Sequence, residues 1–341
     1  MNETERASDA PRANARAVNH TPSFADSLLP RYAMYYLTDW CNATCSFCNI
    51  WRNNAYRTSP LPRVREDIAD LKRLGVVFVD FTGGEPLMRP DCTSVFRMAD
   101  EAGLRWGFTN NGSLFERRWP EMKDLGPYSV NFSLDSANEE YHDAHRELKG
   151  GFRKVVSGIR LARSAGWPMS VILTPARETA SEAGEMVDLT RRLDCSLTIN
   201  PLFSYKGVGG SLTPDQLRAL RKYRLVRGVS IDERYIDWLL ESGGNDIQKR
   251  TCRSMNTHVV IAPDSSLFVP CYHYSVGRLP TPDGIYAAVH SEKWGRMSGM
   301  AGRYPFCQGC AIYCYMDASL ALAHPVRTVF PLLRHMINLK R

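Results

Sequence analysis

The chain carries no uninterrupted apolar run long enough to cross a bilayer, which excludes a membrane-spanning helix. Its first ~25 residues are polar, rich in Ala, Arg and Asn, and lack an apolar h-region, so they are no secretory signal. They read instead as a disordered arm over residues 1–30. No internal repeat or low-complexity run interrupts the remainder. Charge of one sign is in small excess, a formal +7 over 341 residues, and the basic residues are dispersed; no nucleic-acid partner is expected from such a distribution. These absences leave a cytoplasmic globular protein of one large domain with an appendage, or of two ordinary domains.

What the chain does have is cysteine in groups. Ten are present, clustered as 41/45/48 and 307/310/314 with Cys252 and Cys271 between, while Cys92 and Cys195 stand apart and read as buried thiols. Such clustering points to metal binding in a reducing compartment rather than to disulfides. Cys41, Cys45 and Cys48 follow a short strand-like run, Ala33–Thr38. Three thiolates on so short a loop wrap one corner of a cubane iron–sulfur cluster, which four normally hold. One iron is then left without a protein ligand. A zinc site is the competing reading, but zinc wants four ligands and nothing near Cys48 supplies an obvious fourth.

Downstream, helical and strand periodicities alternate. Val64, Ile68, Leu71 and Leu74 recur at helical spacing over 62–74, and Gly75 stops that helix. A buried strand over 76–82 follows, ending in Gly83-Gly84-Glu85-Pro86. Helices near 91–103, 114–125, 152–166 and 177–193 then alternate with strands at 104–109, 129–134, 169–173 and 196–200. Six such units imply a parallel α/β sheet with helices outside. Periodicity alone leaves a barrel and an open doubly wound sheet both standing.

The cysteine spacing, with Phe47 just before the last thiol, closely resembles the signature of the radical S-adenosylmethionine (SAM) superfamily. The resemblance implies a partial (β/α)6 radical SAM barrel over residues 31–210, a helical bridge over 211–250, a small C-terminal auxiliary-cluster extension over 251–316 and an amphipathic basic tail over 317–341. It also implies a SAM-binding [4Fe–4S] cluster on Cys41, Cys45 and Cys48, SAM chelated at the open iron, and a reducing donor such as flavodoxin or ferredoxin. An electron then cleaves SAM, and the adenosyl fragment takes hydrogen from a substrate carbon. Phe47, the Gly83-Gly84-Glu85 loop, Asn110 of the Thr109–Gly112 turn, and Ser133 and Asp135 of the Ser133-Leu134-Asp135 stretch match motifs that contact SAM in that family. Arg146 is the expected fork for the SAM carboxylate. His142 and His145 are expected to be solvated helix residues. An ordinary turn is the alternative reading of the Gly-Gly and Asn-Asn-Gly segments.

Cys252 and Cys271 flank an expected hairpin over 259–270, and Cys307-x2-Cys310 forms a knuckle. Together they offer four thiolates to one centre, which resembles the SPASM/twitch extension and its auxiliary [4Fe–4S] cluster. Cys310 is preferred over Cys314 as the fourth ligand, and Ser265-Ser266 stands where that pattern has a turn glycine. Structural zinc remains the alternative.

Function is expected to be oxidation, by hydroxylation or dehydrogenation, of an unactivated C–H on a small-molecule substrate. The stripe of Phe330, Leu333 and Ile337 beside Arg327, Arg334, Lys340 and Arg341 suits either peripheral membrane contact or packing on its own domain. It also favours a large apolar substrate, and an overall resemblance to bacteriochlorophyllide C-7 methyl hydroxylases, carried by no motif, implies a bacteriochlorophyllide methyl group, with a lipid as a comparable substrate. The ~30 residues before the barrel are too few for a separate leader-binding domain, and no corrinoid-binding domain is visible. A peptide or cofactor maturase and an iron–sulfur electron carrier or scaffold are the alternatives. No catalytic base is assigned.

Overall fold

A computed structural model describes residues 28–53, 57–203 and 210–323. The N-terminal arm to residue 27, most of the 203–210 loop and the tail from residue 324 lie outside the described residues.

Strands β1 (Tyr32–Tyr36), β2 (Phe78–Thr82), β3 (Trp106–Asn110), β4 (Ser129–Ser133), β5 (Met169–Leu173) and β6 (Ser196–Ile199) lie side by side in chain order, all parallel. The connecting helices are α1 (Leu61–Arg73), α2 (Cys92–Glu101), α3 (Phe115–Met122), α4 (Glu139–Arg146) with α5 (Gly151–Ser164), and α6 (Ala183–Leu193). This is the expected partial barrel, and its elements begin within a few residues of their expected positions, α6 excepted. Period-two alternation explains why. On each strand the residues facing the helices are apolar and fully buried, as with Val79 and Phe81 of β2, Trp106 and Phe108 of β3, and Val130 and Phe132 of β4. Phe96 of α2 stacks on Trp106 and Phe108 at 5.1 and 4.9 Å. Each such side chain contributes roughly 1.5–3 kcal/mol of burial.

Past β6 the expected helical stretch over 213–242 is interrupted. It divides into α7 (Pro214–Leu220), β7 (Val229–Ile231) and α8 (Glu233–Ser242), and β7 extends the parallel sheet beside β6. A three-residue strand is too short to impose a periodicity of its own.

The C-terminal part returns to the opposite edge of the sheet. After α9 (Ser254–Thr257), β8 (His258–Ile261) pairs parallel with β1, placing Tyr32 beside His258, and β9 (Leu267–Val269) and β10 (Gly277–Leu279) follow antiparallel. The expected hairpin is therefore present, and its first strand is also a strand of the main sheet. Its turn puts Ser265 at φ +64°, a conformation glycine adopts more readily. The Ser265 hydroxyl compensates by donating to Asp67 Oδ2, which also accepts from Tyr35 Oη at 2.7 Å. Helices α10 (Gly284–Val289), α11 (Glu292–Met300) and α12 (Met316–Ala323) complete the described residues. None of the described helices is long and apolar enough to cross a membrane.

Candidate active site

Active groups of a parallel barrel gather where its strands end, because the loops there converge on one rim. The loop after β1 carries Cys41, Cys45 and Cys48, and the loop after β2 carries Gly83-Gly84-Glu85. The two are zipped together: Leu37 N–H donates to Thr82 O at 2.8 Å, Gly84 N–H to Thr38 O at 2.9 Å and Glu85 N–H to Trp40 O at 2.8 Å. A Cβ on Gly83 would lie 2.5 Å from Thr38 O, and one on Gly84 only 2.0 Å from Trp40 O. The glycines are thus required by contact between the loops. The Gly84 and Glu85 N–H groups are spent on the cysteine loop.

Glu85 is buried, and its carboxylate accepts from Leu87 N–H at 3.1 Å and Asn111 N–H at 2.7 Å. Burial pushes its pKa up to about 7 against those two bonds. Asn111 in turn donates to Asn42 Oδ1 at 2.9 Å, and Asn42 Nδ2 donates to Ser113 Oγ at 2.9 Å. The cysteine loop is therefore pinned from two neighbouring strand ends. Asn110 bonds within the protein at both ends of its amide, to Asn131 O at 3.0 Å and from Gly112 N–H at 2.9 Å.

Cys45 is buried, and Cys41 and Cys48 are partly so. Cys48 N–H donates to Cys45 O at 3.1 Å, and so does Trp51 Nε1 at 3.1 Å. Burial pushes the Cys41 thiol up to about 12, with the nearby Cys45 and Cys48 sulfurs adding to it. Burial also lifts Cys45 to about 11 against the pull of Arg146. Thiols so placed ionise when a metal centre supplies positive charge.

Beyond β4, Asp135 and Arg146 pair with each other, Nε to Oδ2 at 2.6 Å, in a buried setting. Burial raises the Asp135 carboxyl, but the Arg146 guanidinium outweighs it and holds the group below the usual carboxylate range. Asp135 Oδ1 accepts from Thr174 N–H at 3.3 Å. Asp135 therefore orients Arg146, while Ser133 ends β4 on its inner face. Phe47 stacks on His145 at 4.7 Å, His145 on Tyr141 at 5.3 Å, and Arg146 lies over Phe47 at 5.6 Å. The two histidines depart from the solvated reading. His142 is fully buried and its Nδ1 accepts from Asp135 N–H at 3.2 Å, while His145 is part of the ring stack. Three residues apart on helix α4, the two share one side of it, and Asn138 caps the helix, accepting from Tyr141 N–H at 2.9 Å.

The second group of thiols is separate. Cys252, Cys271, Cys307 and Cys310 line one small cavity with Tyr274 and Met316, and Cys314 is not part of its wall. Tyr274 N–H points at Cys271 Sγ at 3.4 Å. The sulfurs of a tetrahedral zinc site sit roughly 3.8 Å apart, given Zn–S bonds of about 2.3 Å. The four thiols share the wall of that one cavity, a donor set that suits a [4Fe–4S] cluster and a structural zinc ion alike.

Asn245, which carried no sequence signal, holds this ring. Its Nδ2 donates to Gly302 O at 2.8 Å and Cys307 O at 3.2 Å, and its Oδ1 accepts from Thr251 and Cys252 N–H, both at 3.0 Å. Its own backbone pairs with Cys310 O and Gly309 N. Asn245 escaped the sequence reading, and Asn42 and Asn111, though inside stretches it singled out, were given no role, because one polar residue in a loop has no periodicity or spacing to betray it.

Residues 35–190 match the family model described as the Radical SAM superfamily. Among curated proteins, an AdoMet-dependent heme synthase of Methanosarcina barkeri is 29% identical over 170 residues, 48% of this chain and 48% of that one. A probable GTP 3',8-cyclase of Methanocella arvoryzae is 31% identical over 181 residues, 50% and 56% of the two chains. The PqqA peptide cyclase of Gluconobacter oxydans is 29% identical over 219 residues, 60% of each. The chain spans about half the length of the first two of these relatives. Among solved structures, Streptococcus suis SuiB bound to S-adenosylmethionine superposes with a TM-score of 0.66 at 14% identity, covering 85% of this chain and 74% of that one. At that identity the likeness is one of fold.

Proposed function

We propose, from the premise that residues 35–190 are a radical SAM domain, that this protein is a SAM-cleaving oxidoreductase that removes hydrogen from an unactivated C–H of a substrate held in the barrel mouth. The carrying observation is the docking of the Cys41–Cys48 loop onto Gly83–Glu85 at the rim. Cys41, Cys45 and Cys48 would hold a [4Fe–4S] cluster and Cys252, Cys271, Cys307 and Cys310 a second one. When bound, the first cluster with SAM supplies the electron transfer and C–S cleavage that start hydrogen abstraction, and the second offers an electron acceptor for net oxidation.

The chain's own residues do the positioning. Asp135 fixes Arg146 through Nε, which leaves the Nη groups for a carboxylate such as that of SAM. The Phe47–His145–Tyr141 stack offers aromatic surface beside the thiols. Leu148 and Ala43 pack around Cys45 and exclude water. A reducing partner of the flavodoxin or ferredoxin class and a cytoplasmic setting belong to the same reading.

For the substrate, the observations favour a hydrogen-bonding molecule over a bacteriochlorophyllide methyl group or a lipid. The expectation of an apolar substrate leaned on the tail, most of which lies outside the described residues, and on an overall resemblance, whereas the inner strand face carries Asp80, Thr109, Asn131, Ser170 and Thr198. A second reading, maturation of a peptide or cofactor, is favoured by the likeness to the PqqA peptide cyclase. The test is anaerobic incubation of reconstituted protein with SAM and dithionite. Release of 5′-deoxyadenosine is expected, and a cluster whose spectrum ignores added SAM overturns the proposal.

A further inference from the structure

The inner face of the barrel holds chemistry that neither thiol site uses. Helices seal the outward residues of β2–β6, yet Asp80, Thr82, Thr109, Asn131, Ser170 and Thr198 remain partly exposed. With the other face covered, that exposure is to the lumen. Several of these groups satisfy one another: Ser170 Oγ and Thr198 Oγ1 lie 2.9 Å apart, and Asn131 Nδ2 reaches Thr109 Oγ1 at 3.4 Å.

Two atoms are left over. Asp80 Oδ1 and Asn200 Oδ1 are shielded from solvent and have no hydrogen-bond partner among the described residues. Asp80 lies in β2 and Asn200 just past the end of β6, four strands along the sheet. Asn200 Oδ1 can only accept, and so can Asp80 once ionised. The residues beside Asp80 in the sheet are Met34 of β1 and Gly107 of β3, neither of which brings a side-chain donor or a charge. The titratable neighbour is the Cys314 thiol, itself raised by burial and by the Asp80 charge. Burial lifts Asp80 to about 7, and among the described residues no cation opposes it. A desolvated carboxylate without a counter-charge costs several kcal/mol, so a cation that reached Asp80 would relieve that cost, and among the described residues no donor does so.

We propose that this lumen binds a cationic N–H-bearing part of the substrate, an ammonium or guanidinium group, with Asp80 as counter-charge and Asn200 as second acceptor. The assignment rests on the reading of the barrel mouth as the substrate cavity. It names the chemical class that the cavity selects.

The test titrates the anaerobically reconstituted, SAM-loaded full chain with methylguanidinium, methylammonium and the neutral isostere N-methylurea, followed by ligand-observed NMR. Wild type is expected to prefer methylguanidinium over N-methylurea by at least about tenfold, the scale of one charge-assisted hydrogen bond. Asp80→Asn is expected to erase that preference, its iron content reporting whether it folded. If Asp80→Asn does not reconstitute, infrared spectra of wild type labelled with [4-13C]aspartate decide: just below neutrality, methylguanidinium should convert one protonated carboxyl band to carboxylate and N-methylurea should not. Equal affinity for cation and urea, no binding at all, or a preference that survives Asp80→Asn overturns the proposal. SAM cleavage is scored separately in the same samples. Cation preference without 5′-deoxyadenosine would sink the radical reading and leave the lumen assignment standing.

Discussion

Replacing Asn245 by alanine tests how the thiol ring is held. The change removes four hydrogen bonds at once, two donated to the Gly302 and Cys307 carbonyls and two accepted from the Thr251 and Cys252 amides. The carbonyls have a second lone pair to fall back on, so the stranded N–H groups dominate the cost. At about 1–3 kcal/mol for each buried unsatisfied group, the loss is roughly 2–6 kcal/mol, and the smaller end applies if water enters the vacated space. A domain's whole stability is only about 5–15 kcal/mol, so the segment bearing Cys252 should detach from the Cys307–Cys310 knuckle before the barrel melts. Iron and sulfide analysis after anaerobic reconstitution should fall from about eight irons per chain to about four, with the SAM-responsive spectrum retained. Asn245→Asp keeps the acceptor but loses both donors, and should fall between the two. Full iron loading with an unchanged melting temperature in Asn245→Ala would refute the clasp.

Other outcomes follow from the same geometry. Cys45→Ala should abolish SAM cleavage while leaving about four irons per chain; complete loss of iron would mean that the two thiol groups are not independent. Gly84→Ala drives a methyl to 2.0 Å from Trp40 O, so the loops should part and SAM-dependent spectral change should vanish, whereas Gly295→Ala, with nothing within 4 Å of the added methyl and no positive φ, serves as the comparison. Asp135→Asn leaves the buried Arg146 without its counter-charge, at a cost of roughly 3–5 kcal/mol, read as a lower urea midpoint. Burial, with Arg146 adding to it, depresses the His142 pKa to about 4 from its ordinary 6.5. The folded state thus takes up its proton later than the unfolded chain, and the stability of the neutral form is lost as pH falls from about 6.5 toward 4, by roughly 3 kcal/mol at most. Denaturant titrations across that window should show a shallower decline in His142→Gln; an identical slope would mean that His142 does not carry the effect.

Legibility followed the kind of signal each feature leaves. The strands β1–β6 were readable because each must bury one face under helices, and burial writes a repeating pattern. Strand β7 left none, being three residues long. The cysteine loop was readable because its three ligands are local in sequence. Cys310 and Cys314 both satisfied the spacing, and only the folded path of 307–316 sets Cys310 in the cavity wall and Cys314 beside Asp80. Glu85 illustrates the opposite case: an evident motif residue whose carboxylate is occupied by two backbone amides of the protein.

By itself the amino-acid order determined the alternation of strands and helices, the superfamily and the two sets of thiols, since these depend on periodicities and spacings within a few tens of residues. Tertiary structure alone decided that β8 pairs with β1 across more than two hundred residues, that Asn245 ties Cys252 to Cys307, and that Asp80 Oδ1 is buried with no partner among the described residues. Contacts of that range are settled by which surfaces pack once the chain has closed, and such packing leaves no local pattern to read.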